Sequence, residues 1–205
     1  STLMRSSAAS DVYKRQLVPW MFFGSSVQDG STCIMRESNM VKKIYFPREV
    51  LPISYVTGAF VNMLLSFVVI FGVIIFTGHG LNPLALLTLP IIMLVEYVMA
   101  LGIALLSSAL TVYFRDLSYI LGIIAMIWQY LTPIMYSSDL VPDKLRPLWN
   151  LNPMTPVIEA YRSVLYAKQV PQLSTLIQAA VLGVIVCVIG YISFRKLQKG
   201  FAEEL

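Results

Sequence analysis

Four stretches of this chain, Ile53 to Thr77, Leu84 to Leu110, Ser118 to Tyr136 and Leu173 to Phe194, are apolar over about the 20 residues a helix needs to cross a hydrocarbon core. With 57% hydrophobic and 13% charged residues, the chain has too little polar surface to close a soluble globule of 205 residues. Each run is expected to be a helix, because a helix satisfies its backbone polar groups internally and an isolated strand in lipid does not. The runs lack period-two alternation, which argues against a β-barrel. The expected class is an all-α integral membrane protein.

A net charge of +4 raises the question of nucleic acid, but the basic residues sit in short clusters between apolar runs rather than along one face. They read as topology signals. Lys42, Lys43 and Arg48 precede the first run, Arg115 separates the second and third, and Arg195, Lys196 and Lys199 follow the last. These alternate regions are expected to be cytoplasmic. The connection Gly78 to Pro83 carries no Lys or Arg, as an outer loop should. Ser137 to Gln172 carries Lys144, Arg146, Arg162 and Lys168, which opposes the scheme, and three clusters outweigh one.

Ahead of Lys42, the stretch Leu17 to Met40 is too polar for hydropathy to mark as a span. Its Ser25, Gln28 or Asp29, Thr32 and Arg36 nevertheless recur at helical spacing as a polar stripe, with Phe22, Val27 and Ile34 as apolar cover. This suits a helix facing water inside a bundle, with Trp20 at the outer interface. An interfacial helix on the cytoplasmic side is the alternative. If the stretch crosses, five spans place the first residues outside, and a sixth, preceding helix is expected. Residues 1–16 lack a signal-peptide core and resemble a translated cloning junction, so they are set aside as non-native. The remainder, 17–205, reads as one domain.

Within the last outer connection, Asn152-Pro153 and Thr155-Pro156 pair capping residues with prolines suited to a first helical turn. Val157, Ile158, Tyr161, Val164 and Leu165 then form an apolar stripe, with Glu159 and Arg162 on the other side. Ser138 to Pro147 is a second candidate helix, ended by Pro147. Two short helices here either re-enter the membrane to line an exit or rest on its interface.

Glu96 is the one ionisable residue deep in a strong span, a functional hypothesis by default. It shares a helical face with Ala100, Ala104 and Ser108, so it is expected to face protein or a cavity, either bonding a neighbouring helix or contacting substrate. Gly58, Asn62 and Ser66, and likewise Gly183, Cys187 and Gly190, read as helix-packing stripes. Catalytic chemistry is poorly represented. His79 has no nucleophile or second metal ligand near it, and Cys33 and Cys187 are expected to be free thiols. The phosphate-binding pattern GxxxxGK[ST] is absent from the sequence.

The stretch Met40-Val41-Lys42-Lys43-Ile44-Tyr45-Phe46-Pro47-Arg48-Glu49-Val50-Leu51-Pro52 closely resembles the ABC-2 type permeases that export O-antigen, capsule and teichoic-acid polymers. Further resemblances follow in order: Leu17 to Phe23, Tyr113 to Leu117, Leu131 to Tyr136 and Leu151 to Met154. The resemblance implies six spans with an N-terminal interface helix, of which five spans are present here. It also implies a multi-pass protein of the bacterial cytoplasmic membrane, a homodimer of permeases with polymer passing between them, and two separate ATPase subunits that hold the ATP and Mg. Carried over, contact with the ATPase falls to Lys42, Lys43, Ile44, Tyr45, Phe46, Pro47, Arg48 and Glu49, and a second contact to Arg115 and Asp116. Candidates for the translocation path are Ser25, Gln28, Asp29, Thr32 and Glu96, with Trp128, Tyr130 and Tyr136 able to stack on sugar rings or to anchor in the interface. A drug or small-lipid exporter of the wider superfamily, and a membrane-embedded transferase, are the competing readings.

Overall fold

The computed structural model describes residues 2–78, 80–136 and 138–205; the side chains of 2–13 and 138 lie outside that description. The expectation for His79 falls on an undescribed residue. Among the described residues every regular element is helical.

Three helices are long and apolar enough to cross a membrane: α3 (Val50–Phe76), α4 (Pro83–Tyr113) and α8 (Leu173–Leu197). They correspond to three of the four apolar runs. Ahead of them lie α1 (Thr2–Arg36) and the short α2 (Ser38–Lys43). α5 (Leu117–Leu131), α6 (Arg146–Leu151) and α7 (Met154–Leu165) lie between α4 and α8, and α9 (Phe201–Glu204) closes the chain.

The remaining apolar run is shorter as a helix than expected. α5 has 15 residues, a rise of ~22 Å against a hydrocarbon thickness of ~30 Å. Pro133 sets its end, because a proline ring disfavours the helical region in the residue before it. Thr132 accordingly leaves the helix at φ −87°, ψ 139°.

α4 is the central helix. Half of its most apolar window is buried, against 17% for α3 and α8. It packs on α8, α1, α3 and α7. Between lipid-soluble helices close packing replaces the hydrophobic drive, and the α4–α8 crossing meets that need with glycine. A Cβ on Gly102 would lie 2.5 Å from the Cα of Cys187, and one on Gly190 would strike the Gly102 carbonyl.

α1 is neither interfacial nor interrupted at residue 16. It runs as one helix from Thr2, passes through Pro19, and buries Trp20, Phe22, Phe23, Val27 and Ile34 against α3, α4 and α5. Trp20 is buried inside the bundle. It packs between Phe23 and Trp128, at centroid separations of 5.4 and 6.4 Å. Arg15 and Gln16, from the segment set aside above, also bond α7: Arg15 Nη1 donates to the Leu165 carbonyl at 3.0 Å.

The last connection differs from expectation in detail. Pro147 opens α6 instead of closing a helix over 138–147; its missing N–H costs nothing in a first turn. α7 does not float, since nine of its twelve residues are buried among α1, α4 and α8. Its Arg162 turns inward, not outward beside Glu159. One guanidinium nitrogen donates to the carbonyls of Pro133 at 2.5 Å and Tyr136 at 2.9 Å, and to Gln16 Oε1 at 3.2 Å. Both carbonyls belong to the irregular segment that follows α5.

Candidate functional site

At one end of the bundle lie all three basic clusters. α2 stops at Lys43, and Ile44 is extended at φ −121°, ψ 130°. The corner Ile44 to Glu49 is therefore irregular, and Tyr45 and Phe46 lie outside any helix. Pro47 starts the turn into α3, with the Val50 amide donating to its carbonyl at 3.2 Å. Tyr45 is fully exposed. Phe46 instead packs on a buried cluster that includes Cys33, Val41, Val112 and Phe194. A groove of about 770 Å³ runs between this corner and the end of α8, lined by Lys42, Tyr45, Pro47, Arg48, Arg195 and Lys199. Arg115 and Asp116 form the exposed turn from α4 to α5 at the same end. Tyr113, just before that turn, donates to the Leu197 carbonyl at 2.7 Å.

At the opposite end lie the connections around Asn82 and the 138–172 segment. Asn82 Nδ2 donates to the Lys168 carbonyl at 3.0 Å. A groove of about 650 Å³, almost wholly apolar, opens here between α5 and the α6 region, lined by Trp128, Leu131, Tyr136, Leu148, Trp149 and Pro153. Asn152 organises its floor. Its Oδ1 accepts from Trp128 Nε1 at 2.7 Å and from the Met154 amide at 3.0 Å, and its Nδ2 donates to Thr132 Oγ1 at 3.1 Å. Asn152, one residue ahead of the α7 N-cap Pro153, thus satisfies the first amide of α7, fixes the indole, and binds the broken end of α5. Thr155, the other expected cap, lies inside α7 and donates to the Trp149 carbonyl at 3.1 Å.

The candidate path residues do not share one cavity in the single chain. Ser25 and Asp29 line a groove of about 610 Å³ between α1 and α3, together with Ser54, Gly58, Asn62 and Ser66. The Gly58, Asn62, Ser66 stripe thus faces an open groove; nothing lies within 4 Å of a Cβ built on Gly58. Asp29 pairs with Arg36 at 3.4 Å. Thr32 is half-buried and bonds back to the Asp29 carbonyl at 3.3 Å. Gln28 points to α5 and donates to the Ser118 carbonyl at 3.4 Å. Tyr130 is exposed on the face of α5, which buries none of its residues.

Glu96 lies inside the packing, fully buried, and its Oε2 accepts from the Tyr161 hydroxyl at 2.7 Å. Ala100, Ala104 and Ser108 of the same stripe are equally buried. Sequence reasoning missed the partner, because Tyr161 was counted only as part of an apolar stripe. It also missed Gly102, Asn152's contact with Trp128, and the inward turn of Arg162. The available signal was chemical: a buried tyrosine needs a partner for its hydroxyl.

Among the described residues, no three His, Cys, Asp or Glu side chains stand close enough to hold a metal ion. The free thiols Cys33 and Cys187 are on different helices. Among the described residues the arrangement offers exposed surfaces and three grooves.

The sequence profile of the ABC-2 type transporter family matches residues 16–166. The O-antigen export system permease protein RfbA of Klebsiella pneumoniae is 30% identical over 189 residues, spanning 92% of this chain and 73% of the relative. A protein of the same description from Myxococcus xanthus is 28% identical over 192 residues, with the same coverage.

Proposed function

This chain belongs to the ABC-2 type transporter family, and from that premise we propose that it is the membrane subunit of an exporter carrying a cell-surface polysaccharide across the bacterial cytoplasmic membrane. It is a multi-pass membrane protein and a transport component rather than a catalyst. Similarity to O-antigen export permeases over 92% of the chain supports the substrate class. Energy comes from a separate ATPase subunit holding ATP and Mg, and a second copy of the permease completes the path. The apolar face of α5, with Tyr119, Ile123 and Tyr130 exposed, is available for that second copy.

The observation that carries the reading is the Lys42 to Glu49 corner. It projects Tyr45 fully into the open at the basic end, while Glu49 bonds the end of α8 and Phe46 packs on the bundle. A protruding aromatic on a fixed base is the form an interface anchor takes. Tyr45→Ala removes the anchor without disturbing the core, unlike a change at Phe46. In the full-length permease, co-purification of the ATPase is expected to weaken by about 2 kcal/mol, roughly 30-fold in affinity, with membrane insertion unchanged and surface polymer reduced. Wild-type ATPase recovery and wild-type surface polymer in Tyr45→Ala would remove the coupling role from this corner.

A further inference from the structure

Beyond α8 the chain reverses onto the bundle. It turns through Gln198–Gly200 into α9, and Phe201 folds back to become fully buried. Its ring meets Phe194 edge-on at 5.6 Å and Tyr113 at 6.3 Å, and the Arg48 guanidinium covers it at 5.8 Å. Phe201 thus joins α8, α4 and the corner between α2 and α3. Gly200 permits the approach, since a Cβ there would fall on the Tyr113 hydroxyl.

Two successive corner residues of opposite charge bond the same segment. Arg48 Nη1 donates to the Gln198 carbonyl at 2.5 Å, at a helix C-terminus where a cation is favoured. Glu49, with a side chain 14% exposed, accepts from Arg195 at 3.3 Å and from Gln198 Nε2 at 3.5 Å. The Arg195 side chain is 58% exposed, so that ion pair alone contributes little. The buried ring and the charged bond to a helix-end carbonyl do most of the holding.

We propose that the C-terminal turn, Gln198 to Leu205, is a positioning element that clamps the Arg48-Glu49 corner to α4 and α8, so that displacement of the corner is passed to both helices. This rests on the coupling role proposed above for that corner. Phe201 and Arg48 are positioning residues in the clamp.

The test uses hydrogen exchange on the full-length permease in lipid nanodiscs, first without the ATPase. The Val50 and Leu51 amides bond the Pro47 and Arg48 carbonyls and report directly on the corner. Phe201→Ala and Arg48→Gln are each expected to speed exchange there at least tenfold, while amides near Gly102 and Gly190 stay at wild-type rates. Phe201→Leu should restore protection. In the complex with the ATPase, Phe201→Ala, which lies outside the contact assigned to the ATPase, is expected to hydrolyse ATP while exporting severalfold less polymer per ATP. Unchanged exchange at Val50 and Leu51 overturns the clamp whatever the partner does. Acceleration spread equally over α4 and α8 makes Phe201 an ordinary core residue and also overturns it. A loosened corner with normal export per ATP shows that the corner is not the coupling element and removes the clamp's function with it.

Discussion

A carboxylate in the middle of a spanning helix is costly unless something bonds it, and Glu96 has one bond, from the Tyr161 hydroxyl at 2.7 Å. Its other oxygen, Oε1, is buried with no hydrogen-bond partner. The pair ties the central helix α4 to the buried helix α7, so its value is in fixing where α7 sits. Glu96→Gln keeps an acceptor for the tyrosine and is expected to fold and export near wild-type levels. Tyr161→Phe removes the carboxylate's donor and is expected to cost more, about 1–3 kcal/mol, because the group left behind cannot reach water. Thermal unfolding of the purified variants compares them directly. A Tyr161→Phe protein as stable as wild type would show that apolar packing alone secures α7. The burial of Glu96 could be read from the alanines and serine sharing its face; its partner could not, since Tyr161 lies 65 residues away.

Where two helices touch, backbone approach is set by the smallest residue at the crossing. Gly102 and Gly190 bring α4 and α8 together so closely that a methyl group at either position meets main-chain atoms, which cannot rotate away. Gly102→Ala is therefore expected to lower stability by about 1–3 kcal/mol and to reduce the yield of folded permease. Gly58→Ala, facing open space on α3, should leave both unchanged. Folded yield by fluorescence-detected size exclusion separates the two; equal yields would mean that α8 shifts freely along α4. The sequence suggested a glycine stripe on α8, but its counterpart Gly102 is unremarkable among the apolar residues of α4. By contrast, α5's end was written locally in Thr132-Pro133, and only the apolar residues beyond it suggested a longer span.

Across the whole molecule, the corner at Lys43, the Arg115 turn and the α8 end share one end of the bundle, and Asn82 and Lys168 meet at the other. Single cysteines introduced at Lys43 and Lys168, in a variant lacking Cys33 and Cys187, are expected to label oppositely. An impermeant thiol reagent on intact cells should modify position 168 and leave 43 untouched until the membrane is opened. Labelling at 43 in intact cells would reverse the topology. What the sequence determined by itself was the solvent, the helical class, three of the spanning elements and the alternation of their connections. These depend on composition within about 20 residues, because lipid forces each apolar segment to satisfy its own backbone. Only the tertiary structure decided that α1 is packed rather than interfacial, that α7 is buried with Arg162 turned inward, and that Phe201 brings the chain's end back to Arg48. Those outcomes depend on contacts between residues far apart in the chain, such as Arg48 with Gln198 and Glu96 with Tyr161. Local pattern marks such residues as apolar, charged or small, and the partner that gives each its role is supplied by the packing.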